Sequence, residues 1–375
     1  MRTVVNCGLG FAGRCGLVVL LLLAFVGVAA GQKAPAATRV WSVGPLVQPQ
    51  TVGGVAFGAG GATFNGMHVD SQTGSTFAAT RSVVFAGDRI VVAVSLGMRA
   101  VEGKATPIRF CQLLSLDEKT GEVKDRRDIS ECVSLPIFAT NDGHVIVSGS
   151  NVLRLTPDLK DEGSFDYQAN GHKRGRIQNE SPDGSTLGNA TSPGFELVDA
   201  RTLKATQLTS DPAVDTSVSS RGFVTDNVHW IGKYPKDIGF VTYVDATGSH
   251  LVYHGECGGR PQFLSDDLIL EPGCKSPFIL DTDGNVIKTL ATSGRFSYAG
   301  VSQNGKRLAL QIAKVSSQGA IEKEKFVVYS VDSGEPIAEA VAKEAAEAQS
   351  WTSFSPDGSM LVVGSPLKLT LYRLP

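Results

Sequence analysis

Residues 350–375, SWTSFSPDGSMLVVGSPLKLTLYRLP, hold the pattern that decides the fold. An apolar segment meets Ser-Pro-Asp-Gly, a second apolar segment follows, and after a short loop a third ends the chain. Asp-Gly between alternating apolar runs is a hairpin signal, because both residues reach positive φ at little cost. The pattern recurs. VVFAGDRIVV turns at Gly87, IFATNDGHVIV at Gly143, NESPDGSTLG at Gly184 and GFVTDNVHWI at Asn227. PQFLSDDLIL turns at Asp267, AGVSQNGKRLAL at Gly305 and TSFSPDGSMLVV at Gly358, the seven lying 38 to 56 residues apart.

A second family of turns alternates with the first. It comprises LLSLDEKTGEV at Asp117, LRLTPDLKDEG at Asp158, ELVDARTLKAT at Asp199, VTYVDATGSHLVY at Asp245, PFILDTDGNVIKTL at Asp281 and VVYSVDSGEPIAE at Asp332. An Asp that opens a turn bonds its own backbone and fixes the reversal. A repeat of this length made only of short strands predicts an all-β, seven-bladed β-propeller of four-stranded antiparallel blades. Seven inner turns against six outer ones leave the last blade a strand short. The segment RVWSV at 39–43 is expected to supply it by pairing near Leu369, so that both termini share one blade and no edge stays open.

Two stretches depart from the repeat. Residues 45–80 are rich in Gly, Thr and Gln, and are expected to run over one face as an ordered loop. Residues 337–349, IAEAVAKEAAEAQ, have helical composition and could form the fourth strand of blade six followed by a short helix.

The N-terminus has the layout of an export signal. Arg2 and Arg14 precede an uncharged apolar run from Leu17 to Val28, and small residues follow at Ala29, Ala30 and Gly31. The expected organisation is a signal peptide at 1–30, a closing strand and Gly-rich lead-in at 31–81, and the propeller at 82–375, closed with about 39–44. The expected location is periplasmic or extracellular, with no transmembrane segment after cleavage. Four cysteines remain beyond the leader, Cys111, Cys132, Cys257 and Cys274, and an even number in an exported chain suggests two disulfides. The short-loop pairing, Cys111 with Cys132 and Cys257 with Cys274, is one of three connectivities.

SPDG at 181–184 and at 355–358, flanked by apolar strands, resembles the WD40-like and YVTN-type repeats of bacterial propellers. FSPDGSMLVVGS followed by LTLYRL is the best match, with VSQNGKRLALQI and ATNDGHVIVSGS as weaker copies. The residues that carry this resemblance form turns, so it implies a fold and no chemistry.

Nothing in the sequence concentrates catalytic groups. Charge is balanced at 35 basic and 37 acidic residues, which gives no footing for a nucleic-acid groove. There is no H-E-x-x-H and no G-x-S-x-G, and the Gly-rich GVAFGAGGATFNG at 54–66 precedes no helical pattern. His254 and Glu256, in HGEC, are weak metal candidates; a strand end is the plainer reading. The basic run HKRGR at 172–176 reads as a solvated connection between blades. Asn179 and Asn189 match the N-x-S/T glycan acceptor pattern. No cofactor is expected. The expected function is a monomeric, non-catalytic scaffold that binds another protein or an extracellular ligand. The alternative is a lactonase-like or quinoprotein-like propeller with a metal or cofactor at its channel mouth.

Overall fold

The computed structural model describes residues 34–44, 46, 50–51, 62–64, 67–69, 75–76, 79–99, 108–130, 136–149, 151–172, 175–192, 194–209, 216–230, 237–255, 259–273, 276–292, 295–315, 321–341, 351–365 and 368–375. Strand β1 (Thr38–Val43) comes first. Four short strands follow, β2 (Gln50–Thr51), β3 (Ala62–Phe64), β4 (Met67–Val69) and β5 (Ser75–Thr76), paired as a sheet of their own. This corrects the expectation of an ordered loop over 45–80.

Blade one holds β6 (Ala79–Ala86), β7 (Arg89–Arg99), β8 (Ile108–Asp117) and β9 (Val123–Ser130). Blade two holds β10 (Ile137–Ala139), β11 (Val145–Ser148), β12 (Val152–Leu155) and β13 (Asp161–Phe165). Blade three is β14 (Gly175–Glu180), β15 (Thr186–Thr191), β16 (Gly194–Asp199) and β17 (Ala205–Thr209). Blade four is β18 (Thr216–Val218), β19 (Gly222–Trp230), β20 (Asp237–Asp245) and β21 (Gly248–Gly255). Blade five runs through β22 (Gln262–Ser265), β23 (Leu268–Glu271), β24 (Phe278–Asp281) and β25 (Val286–Thr289). Blade six runs through β26 (Arg295–Val301), β27 (Arg307–Val315), β28 (Ile321–Ser330) and β29 (Pro336–Val341). Blade seven is β30 (Trp351–Phe354), β31 (Met360–Gly364), β32 (Leu369–Arg373) and, from the far end of the chain, β1.

The closure matches the sequence reading. Strand β1 pairs antiparallel with β32, Thr38 opposite Arg373 and Val43 opposite Leu369. Trp41 then reaches blade one, where its indole N–H donates to the Glu118 carbonyl at 2.8 Å. Strand β29 is the fourth strand of blade six, as expected, and the helix expected after it falls outside the described residues.

The core lies between blades, and the period of two in each strand explains how. Val83 and Phe85 of β6, with Ile90 and Val92 of β7, pack against Val362, Leu369 and Leu371 of blade seven. The alternate residues Val84, Ala86, Val91 and Ala93 pack against Ile137, Val145 and Val147 of blade two. Both faces of the sheet are covered, so the strands read as unbroken apolar runs. Equivalent clusters join the other neighbours around the ring, including Phe354, Leu361 and Tyr372 of blade seven against Phe326 and Val328 of blade six. The interface of blades three and four is built around three buried residues, Phe195, Val218 and Phe223.

Six of the seven expected inner turns stand where the sequence placed them. Gly87, Gly143, Gly184, Gly305 and Gly358 all have positive φ, and Asp267 lies between the paired Ser265 and Leu268. Asn227 does not form a turn. It lies inside β19 opposite Phe240, and the reversal in blade four is at 219–222, where the Ser219 N–H donates to the Gly222 carbonyl at 2.9 Å. The Thr-Asp-Asn of that strand imitates a turn, but Ser-Ser-Arg-Gly supplies the tighter one.

Candidate functional site

Side chains from all seven inner strands meet around a central cavity of about 250 Å³. Ser82 comes from blade one, Phe138 from two, Glu180 from three and Ser217 from four; Phe263, Tyr298 and Thr352 come from blades five, six and seven. Ser181, Pro182 and Gln303 also line it, so the cavity extends to the face of the ring that carries the inner turns. Gln303, from the turn of blade six, places its Nε2 only 3.0 Å from where a Cβ on Gly184 of blade three would stand.

Several polar groups of this lining are committed to the neighbouring blade. The Ser82 hydroxyl donates to the Ile137 carbonyl at 3.4 Å, and the Thr352 hydroxyl to the Ala299 carbonyl at 2.6 Å. The Ser217 hydroxyl accepts the Phe263 N–H at 3.0 Å. Asn179 donates to the carbonyl of Thr216 and, at 3.2 Å, to its hydroxyl. These bonds stitch inner strands of adjacent blades, which pair with no partner there as ladder strands would.

Two oxygens of this lining stay outside these bonds: the Asn179 Oδ1 is buried with no hydrogen-bond partner among the described residues, and Glu180 adds a carboxyl. Its Oε2 is shut off from solvent and meets no hydrogen-bond partner among the described residues. Burial pushes its carboxyl up to about 8, opposed only by a hydrogen bond from the Ala139 backbone. Tyr298, on blade six, lines the same cavity and is pushed upward first by burial and then by the Glu180 charge. The signal for Glu180 lies in the repeat. In blades two, four, six and seven the residue before the turn-opening Thr or Ser is Ala139, Val218, Val301 and Phe354. Blade three alone of these five puts a carboxylate there. Matching the turns against one another would have found it.

A second polar group lies between blades two and three. Arg154, 4% exposed, pairs with Asp142 at 2.7 Å and Glu162 at 2.7 Å, and donates to the Ala200 carbonyl at 2.9 Å. His144 sits within 3.2 Å of Asp142 and 3.0 Å of Glu162. Asp142 is held down at about 2; burial opposes this, and the Thr140 and Arg154 hydrogen bonds and the Arg154 charge outweigh it. Every member is satisfied, which marks the network as a fastening between blades.

The outer-turn carboxylates have structural duties. Asp117 and Asp199 each accept bonds from the backbone and hydroxyl of a Thr three residues on, Thr120 and Thr202, and these bonds hold both carboxyls below the usual range. In blade six Ser330 takes that place instead of Asp332, accepting the Ser333 N–H at 3.2 Å. The ring of His254 stacks on Phe240 at 4.6 Å, as befits a strand residue. Its companion Glu256 lies outside the described residues, as do Cys132, Cys257 and Cys274, whereas Cys111 is buried in β8. No group of three His, Cys, Asp or Glu suited to a metal occurs among the described residues. His172, which opens the basic run, approaches Glu196 at 3.1 Å; Lys173 and Arg174 lie outside the described residues. Asn189 is fully buried and donates to Glu196 at 3.1 Å, and Asn179 is bonded across blades, so neither offers its amide to a glycan in the folded protein.

The two faces of the ring differ in another way. The inner and outer turns share one face and are tight. On the opposite face three hairpins outgrow their blades. In blade four, β18 pairs with β19 only through Thr225, while β19 and β20 stay paired out to Trp230 and Asp237. In blade one residues 97–99 pair with 108–110 beyond the end of β6. In blade six the β27–β28 ladder continues to Val315 and Ile321, past the last pairing with β26 at Ala313. Blades two and five have four-residue strands in these places.

No protein-family model matches the chain, and no curated protein matches it in sequence. Among solved structures, a chain in the crystal structure of the Mitotic Checkpoint Complex is similar with a TM-score of 0.52 and 14% identity, over 93% of this chain and 99% of that one. A likeness at that identity is one of fold, and the fold is a seven-bladed β-propeller.

Proposed function

We propose that this protein is an exported, non-catalytic scaffold whose ring binds another protein. The observation that carries this reading is the crown of three lengthened hairpins, β7–β8, β19–β20 and β27–β28, on the face opposite the tight turns. A hairpin that runs past its blade carries strand residues that the innermost strand of that blade no longer pairs. Such segments are a liability unless a partner covers them. The similar solved chain comes from a protein assembly, which agrees with a propeller serving as a docking platform. The charged and apolar pattern of residues 1–30 supports export, and the buried Cys111 fits a disulfide made there.

The test shortens one hairpin. Residues 227–240 are replaced by Asn-Gly, which joins Asp226 to Val241 by a two-residue turn and keeps the buried Val241 in place. Protein taken from the exported fraction is then examined by native mass spectrometry. The wild type is expected to carry a partner at fixed stoichiometry, and the shortened form to lose it at least tenfold while its melting temperature moves by only a few degrees. Retention of the partner by the shortened form overturns the docking face. Recovery of the chain only in the cytosol, with residues 1–30 attached, overturns export.

A further inference from the structure

We propose that the cavity beside Glu180 is a binding site for a small primary ammonium ion, with the Glu180 carboxylate pairing with the ammonium and the rest of the cavity holding its short hydrocarbon tail. This stands apart from the docking face, which lies at the other end of the ring.

Three observations lead here. Glu180 occupies a position that is apolar in blades two, four, six and seven, so the ring as such does not require a carboxylate there. Its Oε2 is buried, lines the cavity and has no protein partner among the described residues, which is a costly arrangement to keep without use. Among the described residues no Lys, Arg or His lines the cavity, so none of them offers the carboxylate a cationic partner there. The Phe138, Phe263 and Phe354 rings turn into the clusters between blades, which leaves Tyr298 as the aromatic neighbour of Glu180 in this lining. A carboxylate beside an aromatic ring is chemistry that holds an organic ammonium ion, through charge and through the negative face of the ring.

Size and ligand count narrow the choice further. At roughly 30 Å³ for each water-sized group the cavity takes about eight, enough for a four- or five-carbon amine. A divalent metal ion would need about six to eight oxygen ligands with several carboxylates among them, and among the described residues Glu180 is the one carboxylate of the lining.

The pairing predicts a proton signature. Among the described residues Tyr298 is the other titratable side chain in the lining, and it stays neutral at these pH values. Burial holds the free carboxyl protonated up to about pH 8. An ammonium ion therefore has to displace that proton. Affinity is expected to rise about tenfold per pH unit below 8 and then to level off.

The experiment is isothermal titration of the full ring with n-butylammonium chloride at pH 6.5 and pH 9, each in two buffers of different ionisation enthalpy. The expected result is saturable one-to-one binding, release of close to one proton at pH 6.5 and none at pH 9. Glu180→Gln is expected to weaken binding at least tenfold, and n-butanol, of the same shape without charge, to bind at least tenfold more weakly. Equal binding of butanol, or equal binding by Glu180→Gln, overturns the proposal in favour of an apolar slot. A response to potassium chloride as strong as to butylammonium overturns the organic ligand in favour of a monovalent ion. Should the variant fail to fold, the wild type suffices. The Glu180 carboxyl ¹³C shift is expected to move to its ionised value at pH 6.5 on adding butylammonium, and its failure to move overturns the pairing.

Discussion

Blades three and seven open on the same four residues, SPDG at 181–184 and at 355–358, and the two turns are built alike bond for bond. The Ser hydroxyl donates to the Asp carboxylate at 2.6 Å in both. The Gly N–H donates to the Ser carbonyl at 2.9 and 2.8 Å. The Ser hydroxyl in turn accepts the N–H of Thr186 at 3.0 Å and of Met360 at 2.9 Å. One residue upstream the likeness ends. Phe354 is buried in the cluster between blades six and seven, while Glu180 presents its carboxyl to the channel. The motif sets the backbone and leaves the neighbouring side chain free to differ. What is repeated builds the ring, and what breaks the repeat is where a site can lie.

Exchanging the two residues is the most severe test. Phe354→Glu puts a carboxyl among Phe326, Leu361 and Tyr372, where the cluster offers it no partner. Lost burial and the cost of the polar group together are expected to lower stability by about 4 kcal/mol. The check is the urea midpoint of Phe354→Glu against wild type. A loss under about 1 kcal/mol would show that position to be as tolerant as its counterpart in blade three.

Glu180 should give a smaller and pH-dependent effect. Its folded pKa lies near 8, above the unfolded value of 4.5, so the folded state keeps a proton that the unfolded state releases. Stability from this group is therefore complete below about pH 4.5 and falls as pH rises toward 8. The ceiling is about 1.4 kcal/mol per unit, and a loss on the order of 3 kcal/mol between pH 5 and 8 is expected. Urea midpoints across that range should be flatter in Glu180→Gln than in wild type. Identical slopes would mean that the carboxyl is not held neutral.

These tests also mark what the sequence discloses. Apolar runs on both sides of each turn reveal strands covered on two faces, and the count of turns reveals the missing strand that β1 supplies. Asn227 misled because Asp-Asn favours a turn only where no longer ladder competes, and β19 runs through it to pair with β20. The stretch of 45–80 misled through its glycines, whereas very short strands need few apolar residues. Glu180 and Tyr298 are 118 positions apart, and only the closing of the ring brings them into one cavity. No local pattern encodes that meeting. The change of residue type at 180 was legible, and its meaning was not.

Glycine at the two turns offers a finer contrast. Gly184 has φ +70° and Gly358 φ +75°, so alanine strains both. A Cβ at 184 would also meet the Ala139 carbonyl at 2.8 Å and the Asn141 nitrogen at 2.9 Å, both backbone. At 358 the nearest atom is Cγ of Arg307 at 2.9 Å, part of a side chain that can move. Gly184→Ala is expected to cost about 2 kcal/mol and Gly358→Ala about 1 kcal/mol. Equal melting temperatures for the two variants would show that blade two yields to blade three as easily as Arg307 yields to blade seven.

The smallest difference should come from the serines. Each hydroxyl satisfies one backbone N–H and one carboxylate, in surroundings that match to within 0.1 Å for both bonds. Ser181→Ala and Ser355→Ala should each cost about 1 kcal/mol and differ by little. Equality would place the distinction between the blades wholly in residues 180 and 354, outside the turn. A larger loss at Ser181, growing as pH rises toward 8, would instead mean that the turn of blade three braces the Glu180 carboxyl. The SPDG of that blade would then belong to the channel site as well as to the ring.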